Sequence, residues 1–238
     1  MNVLVIGSAP DSVQANSWDM SVFDKVIAIN NAWRVTNQWD ELIFPHDFAE
    51  DKKPTQLLKH QKFVTEDQFV SAQNLFGGFV YAGATMAFTA GYWSLAHHQP
   101  SKLCFLGCNM HYNHNGPTHF YGQGRPDPLR DDITLTSLEA CSYRMLILAK
   151  MQGCDILSLS SGKTNLQVPQ TTFNEFLDFR PTFVISETKV GQALKHEKSL
   201  NYYVDDGRYW VKEKSFCRDE LRKIDQIWIE AITSGPLN

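Results

Sequence analysis

The stretch VLVIGSAPDS, residues 3–12, decides the fold class of this chain. Its four leading apolar residues indicate a buried strand, and Gly7 then turns the chain into a polar segment. A second apolar run, residues 25–29, ends in Asn30 and Asn31. In open parallel α/β sheets, ligands bind outside the carboxyl ends of the strands, where Gly-containing turns let a phosphate or ribose approach backbone N–H groups. The sequence therefore predicts a nucleotide pocket between these two strand ends.

Short apolar runs alternate with helical patterns through the first 160 residues, which is typical of a parallel sheet covered on both faces. The predicted fold class is α/β, a Rossmann-like three-layer α/β/α arrangement with a mainly parallel sheet, a lid-like insertion and an irregular C-terminal region. Apolar runs and helical periodicity predict strands at 2–6, 25–29, 41–44, 102–106 and 155–159, and helices at 82–98 and 134–151.

The chain divides into a core and an extension. Residues 1–160 are predicted to form a nucleotide-binding α/β core, with a lid-like loop at 107–132 that is rich in His, Gly and Pro. Residues 161–238 are predicted to form a C-terminal extension. Within it, we expect a hairpin around Asp206-Gly207 and an amphipathic helix over 217–232 that packs back on the core.

Composition narrows the class of protein. The 238 residues include 26 acidic and 22 basic side chains, a formal net charge of -4, with no clustered Lys and Arg that would indicate nucleic-acid binding. No apolar stretch reaches the length of a membrane span, and the N-terminus enters a strand without an export signal, so we predict a cytoplasmic protein. Five cysteines without a C-x-x-C pair suit a reducing compartment as buried small hydrophobes. Whether the chain forms homo-oligomers is left open.

Residues that follow predicted strands, or precede the predicted buried helix, are candidates for ligand binding. The turn at Gly7 lacks the Lys-Ser/Thr pair of a P-loop and the three-glycine dinucleotide fingerprint, and a tight turn alone also explains it. The Asn30-Asn31 amides suit a ribose hydroxyl or a pyrimidine edge, or they cap the next helix. Small residues before the predicted helix would admit a ligand to its N-terminus, unless they serve close packing. The candidates are Gly7, Ser8, Ala9, Pro10, Asn30, Asn31, His46, Gly83, Ala84 and Thr85.

Three histidines, His111, His114 and His119, lie in the predicted lid. A zinc site is not favoured, because no Cys pair and no H-E-x-x-H helix accompanies them. A histidine near the strand-end pocket suits a general base, since its pKa lies near working pH. We choose His119, which aromatic neighbours would hold in place, with a structural histidine as the alternative.

In the order of these pieces, the chain resembles the bacterial sialyltransferase family that uses CMP-sialic acid, together with related uncharacterised and motility-associated proteins of the same fold. The resemblance covers about residues 1–160. That family opens with a strand and a Gly-Asn-Gly-Pro-Ser turn, which this chain matches at Gly7 and Pro10. Asn30 or Asn31 falls where the second strand of the family ends in a nucleotide-contacting Asn.

Two further segments carry the resemblance. Ala82-Gly83 is similar to a Ser-Gly pair of the family, and LGCNMH, residues 106–111, looks like its strand ending in Gly-hydrophobic-Asp-aromatic-Tyr. The chain departs from the family at Ser8, where the family has an Asn on the nucleotide, and at Asn109, where it has an acidic residue.

The resemblance implies a metal-independent transfer, in which a nucleoside monophosphate leaves an activated sugar while a histidine removes the acceptor proton. The family histidine lies just ahead of the helix that begins here near Thr134, so His119 would act from a shifted loop. Tyr112 and Tyr121 would meet the leaving phosphate, and Asn109 would line the nucleotide site. The implied substrates are a nucleotide-sugar donor, with a CMP-sugar favoured, and a glycan or small-molecule acceptor; no tightly bound cofactor and no metal is expected.

Two other functions stay open at this point. Relatives of this fold include a pterin diphosphokinase that uses ATP and Mg²⁺, and the pairs His46-Asp47 and Asp131-Asp132 offer ligands for such an ion. A noncatalytic nucleotide-binding protein is favoured if His119 lies far from the Gly7 turn.

Overall fold

Six short apolar runs pair side by side into a single sheet. The fold is that of a computed structural model that describes residues 1–111, 116–124 and 130–234. The strands are β1 (Asn2–Ile6), β2 (Lys25–Ile29), β3 (Glu41–Ile43), β4 (Lys62–Val64), β5 (Lys102–Leu106) and β6 (Asp155–Ser158). Every pairing in the sheet is parallel, in the order β4-β3-β2-β1-β5-β6. The predicted parallel sheet is confirmed, and β4 is a strand that the sequence analysis did not predict.

The strand order places a topological switch at β1. From β1 the chain moves outward through β2, β3 and β4, and then returns to add β5 on the other side of β1. The carboxyl ends of β1 and β5 therefore lie side by side while the connections that follow them run in opposite directions. Crevices of this kind are where open α/β sheets bind ligands.

Helices cover one face of the sheet. The described helices are α1 (Glu66–Asn74), α2 (Phe79–Ala82), α3 (Met86–Trp93), α4 (Leu138–Met151), α5 (Glu187–Leu200) and α6 (Arg218–Glu230), of which α5 and α6 pack on α4 rather than on the sheet. Apolar side chains of α1, α3 and α4 form one buried cluster with alternate residues of β1, β2 and β5. The opposite face is covered by 3₁₀ turns at 10–17, 20–22 and 30–34 and by aromatic residues of 173–179. The fold is thus three-layered, as predicted.

The helix predicted at 82–98 is interrupted. Gly83 has φ +83°, a conformation that ends α2, and Thr85 then caps α3 by accepting a hydrogen bond from the N–H of Phe88. After α3, the chain makes one π turn, Ser94–His98. The helix predicted from residue 134 likewise begins only at Leu138, because Ser137 caps it.

The predicted hairpin around Asp206-Gly207 is wrong. The Asp206 carboxylate accepts a hydrogen bond from the N–H of Arg208, and the chain continues into a 3₁₀ turn, Tyr209–Ser215. Val204 and Tyr209, on either side of Asp206-Gly207, are buried in one cluster with residues of α5 and α6 and do not pair as strands. The antiparallel pair within the described ranges is instead β7 (Val184–Ile185) with β8 (Ile232–Ser234).

Other features of the chain follow the sequence. The terminal amphipathic helix is confirmed as α6, close to its predicted bounds. All five cysteines lie in described segments and are unpaired, four of them buried, at positions 104, 108, 141 and 154. Among the helices of the described segments, none is long and apolar enough to cross a membrane.

Asp225, on α6, provides a test of how this helix packs. Burial raises the pKa of Asp225 to about 6, and the charge of Glu197 adds to this effect, while a hydrogen bond from Thr136 opposes it. A folded-state pKa above the unfolded value of about 3.9 means that this group stabilises the fold below pH 4 and that the contribution is lost as the pH rises through 6.

We therefore expect Asp225→Asn to raise the free energy of unfolding at pH 8 by about 3 kcal/mol relative to the wild type. The gain should shrink to near zero at pH 4, where the wild-type carboxyl is neutral too. Urea denaturation across pH 4–8 measures it, with Asp219→Asn, an exposed position on the same helix, as the control. An equal difference at both pH values would contradict the expectation.

Candidate functional site

The turns after β1 and β5 are locked together. The N–H of Gly7 donates to the Leu106 carbonyl at 2.7 Å, and that of Ala9 donates to the Gly107 carbonyl at 2.9 Å. A Cβ on Gly7 would lie 2.3 Å from the Gly107 oxygen, so only glycine fits there. These two N–H groups are used inside the protein. The Gly7 turn therefore forms the floor of a site. The N–H groups of Gly7 and Ala9 are not available to donate to a bound anion.

Asn30 follows β2 in a strained state. It has φ +50°, and its side-chain Oδ1 is buried without a hydrogen-bond partner in the described part of the chain. The 3₁₀ turn Asn30–Arg34 has no side-chain cap at its start, so Asn30 and Asn31 do not serve the capping role. Strain together with an unpaired acceptor is typical of ligand-binding positions.

The start of α3 forms a second wall. Thr85 caps the helix, and the N–H groups of Met86 and Ala87 belong to its first turn, where the helix dipole favours negative charge. The two residues before it are structural. The carbonyl of Gly83 accepts from Gln73 at 3.0 Å, and the N–H of Ala84 donates to Thr134 Oγ1 at 3.1 Å.

Residues 116–124 bring the predicted base to this place. The N–H of Phe120 donates to the Ser8 carbonyl at 2.9 Å. The Phe120 ring packs on the buried cluster at the sheet face that lies opposite the helices. His119 and Gly122 exchange backbone hydrogen bonds of 2.9 and 3.0 Å, so the segment is a tight turn. His119 and Tyr121 consequently lie against the turn that follows β1.

The His119 ring is held on two sides. Its Nδ1 lies 2.8 Å from Thr118 Oγ1, which also accepts the N–H of Gly124 at 2.9 Å. Tyr121 stacks on the ring, with centroids 4.9 Å apart. Burial lowers the pKa of His119, which favours the neutral imidazole. A neutral, oriented imidazole is what a general base requires.

These walls enclose one cleft of about 250 Å³ at the switch point of the sheet. Eight predicted site residues line it: Gly7, Ser8, Ala9, Asn30, Asn31, Thr85, His119 and Tyr121. Five others lie outside its lining: Pro10, His46, Gly83, Ala84 and Asn109. Tyr112 and His114 fall outside the described residues.

Comparison with protein-family models, curated proteins and solved structures gives no match. The chemistry of the cleft itself must therefore indicate the function.

Asn109 does not line the cleft because its side chain contacts Asp11 instead. Its amide nitrogen lies 3.5 Å from both carboxylate oxygens of Asp11, on the turn after β1. The neighbouring Met110 takes its place in the cleft, with φ +50° and its sulfur 3.8 Å from Thr85 Oγ1. Burial raises the pKa of Cys108, which also lines the cleft, so this thiol is not a nucleophile at neutral pH.

Lys52 is the charged residue of the cleft that sequence reasoning missed. It ends a 3₁₀ turn after β3, and its carbonyl accepts the Trp33 indole N–H at 2.9 Å, which fixes the backbone. Among the described lining residues it carries the one permanent charge, and no carboxylate accompanies it. The signal available in the sequence was the run Asp51-Lys52-Lys53 in the polar loop beyond the third strand.

Of the carboxylates suggested for a magnesium ion, Asp131 and Asp132 are engaged elsewhere, and Asp47 is exposed and does not line the cleft. Asp131 pairs with Arg218 at 3.0 Å, and Asp132 pairs with Arg130 at 2.9 Å. Arg130 also donates to the Ala84 carbonyl at 3.0 Å, which ties the end of the predicted lid to the loop before α3.

A different group has ligand atoms within 4.8 Å of one another: Glu41, His97 and His98. It lies at the amino-terminal end of β3, opposite the cleft. There the Glu41 carboxylate already accepts the Trp93 indole N–H at 2.7 Å and pairs with Lys62 at 3.1 Å.

Proposed function

We propose that the chain is a glycosyltransferase that uses a nucleotide-activated sugar, with a CMP-sugar favoured, and needs no metal ion. The observation that carries the proposal is that one cleft at the switch point joins an unpaired amide, a lysine, a helix N-terminus and an oriented histidine. The resemblance of residues 1–160 to the sialyltransferase family supports the same function.

Nucleotide recognition is assigned to the two strand-end walls. The unpaired Oδ1 of Asn30 accepts from a donor group, as a ribose hydroxyl or a base amino group provides. Lys52 and the first turn of α3 supply positive charge to the phosphate. With no carboxylate in the described lining, lysine rather than a carboxylate-held cation would offset the phosphate charge.

The transfer step is assigned to His119 and Tyr121, in the segment 116–124, together with Lys52. In the tautomer that carries its proton on Nδ1, 2.8 Å from Thr118 Oγ1, Nε2 of His119 would be the atom that accepts the acceptor hydroxyl proton. The acceptor oxygen then bonds to the anomeric carbon as the bond from that carbon to the phosphate oxygen breaks, which releases the nucleoside monophosphate. Tyr121 and Lys52 donate to the departing phosphate.

The noncatalytic alternative predicted a histidine far from the Gly7 turn. Ser8 instead accepts a hydrogen bond from Phe120, the residue next to His119. This proximity favours the transferase over a pure binding protein, and the presence of turnover separates them.

Calorimetry with CMP, CDP, UDP, GDP and ATP, each with and without Mg²⁺, tests the proposal. We expect CMP to bind without Mg²⁺ and Lys52→Met to weaken that binding about 10-fold, since a charge-assisted contact is lost. Lys59→Met, an exposed lysine of the same loop that does not line the cleft, should bind as the wild type does. Binding of none of the five nucleotides would sink the proposal.

Asn30→Gly separates binding from folding. Glycine adopts φ +50° without strain, so the free energy of unfolding should stay within about 1 kcal/mol of the wild type. Loss of the amide should nevertheless weaken CMP binding about 10-fold. Paired urea denaturation and calorimetry measure both effects. A variant that binds CMP as well as the wild type would remove Asn30 from the site.

A further inference from the structure

A second, larger cavity of about 720 Å³ opens at the carboxyl end of β6, on the same edge of the sheet as the cleft. We refer to it as the β6 groove. It is lined by Gln14, Ser17, Trp18, Leu159, Ser160, Ser161, Gln170, Thr171, Thr172, Phe173, Asn174 and Glu175. None of the residues assigned to the cleft is shared with it.

The walls of the β6 groove are ordered by backbone bonds. The N–H of Ser158 donates to the Pro169 carbonyl at 2.8 Å, and that of Thr171 donates to the Ser158 carbonyl at 3.0 Å. Across from them, Trp18 stacks on Phe173 with ring centroids 4.6 Å apart and planes 12° from parallel. Both rings are partly exposed and form a fixed apolar platform at the groove.

The lining of the groove is mostly neutral and polar. Eight of its twelve residues are neutral hydroxyl or amide side chains, two are aromatic, and Glu175 is the one charge. No Lys, Arg or His is among the described residues of the lining, so the groove offers nothing to a phosphate. The cleft, by contrast, carries Lys52.

One buried hydroxyl of the groove has no partner in the described structure. Thr171 Oγ1 is buried without a hydrogen bond, whereas Ser160 Oγ accepts the Gly107 N–H at 2.8 Å and Thr172 donates to Glu175 at 2.9 Å. A buried hydroxyl beside a cavity is satisfied by a ligand or by water. Hydroxyls, amides and one carboxylate around an aromatic platform match a ligand that has many hydroxyls and an apolar ring face.

We infer that the β6 groove binds a neutral carbohydrate. Its role as the acceptor site rests on the proposed function, whereas carbohydrate binding does not. The two sites are joined through the Ser160–Gly107 hydrogen bond, which connects the groove to the floor of the cleft. A charged donor and a neutral acceptor would thus meet at neighbouring strand ends.

Saturation-transfer NMR with methyl β-D-galactoside, methyl β-D-glucoside and methyl N-acetyl-β-D-glucosaminide tests the inference. We expect at least one glycoside to receive saturation at its ring C–H protons, and methyl β-D-glucoside 6-phosphate to bind no better than methyl β-D-glucoside. Thr171→Val keeps the shape of the side chain and should weaken glycoside binding about 10-fold, because the hydroxyl contact is lost. Trp18→Ala should abolish it, and Thr182→Val, an exposed control, should leave it unchanged.

The outcomes are distinct for the two sites. If no glycoside binds, or if Thr171→Val binds it as the wild type does, the inference is overturned. CMP binding by Thr171→Val should equal that of the wild type, since this residue does not line the cleft. If glycosides bind in this way but no nucleotide binds, carbohydrate binding by the groove is supported and the proposed transferase function is excluded.

Discussion

Replacing His119 by glutamine is expected to lower the rate of sugar transfer by about 10²–10⁴-fold, the range that general bases contribute. Glutamine keeps a polar side chain of similar length but accepts no proton. The backbone of this turn is held by its own hydrogen bonds and by Phe120, so the substitution should leave the segment in place. The loss should therefore fall on kcat, with CMP binding unchanged.

Release of CMP from a CMP-sugar measures this expectation. His46→Gln is the matched control, since His46 is exposed and does not line the cleft. Because burial lowers the pKa of His119, the acidic limb of the wild-type kcat/KM profile should lie below the ordinary histidine value of about 6.5. Turnover by His119→Gln within a few-fold of the wild type would exclude this residue as the base.

Arg144→Met is expected to lower the free energy of unfolding by about 3–5 kcal/mol, the cost of leaving a buried charge without its partner. Arg144 on α4 and Glu197 on α5 are both almost fully buried and form two hydrogen bonds of 2.9 Å. The guanidinium also donates to the hydroxyl of Tyr92 at 3.0 Å, and Glu197 accepts the Trp228 indole N–H at 2.8 Å. Although burial opposes its charge, Glu197 raises the pKa of Arg144 above its usual value.

A double-mutant cycle in urea denaturation identifies the cause. Arg144→Met combined with Glu197→Met should be less destabilised than the sum of the two single changes, because neither charge is then left buried alone. Arg222→Met, which breaks an exposed pair with Asp219 on α6, should cost less than about 1 kcal/mol. A loss of that small size for Arg144→Met would contradict the importance assigned to the buried pair.

Strand-end chemistry could be predicted from the sequence because parallel topology brings carboxyl ends to one edge. The apolar runs beside Asn30 and Thr85 were enough to predict that both residues line one pocket, and both do. Lys52 could not be found this way, since its position depends on how an aperiodic loop folds back against Trp33. The strand β4 could not be predicted because its three residues are too few to show a period. The hairpin at 206–207 was wrong because Val204 and Tyr209 are buried against helices instead of pairing with each other's strand.

The interlocked glycines of the cleft floor have a consequence for how this protein could be engineered or could diverge. Because Gly7 and Gly107 leave no room even for a methyl group, the floor cannot be reshaped to suit another ligand. Selectivity must instead be altered through the walls, at positions such as Asn31, Phe48 and Met86. A combinatorial library that varies these three wall residues and keeps both glycines should retain folded members with altered ligand selectivity. A library that varies Gly7 and Gly107 should yield few soluble clones.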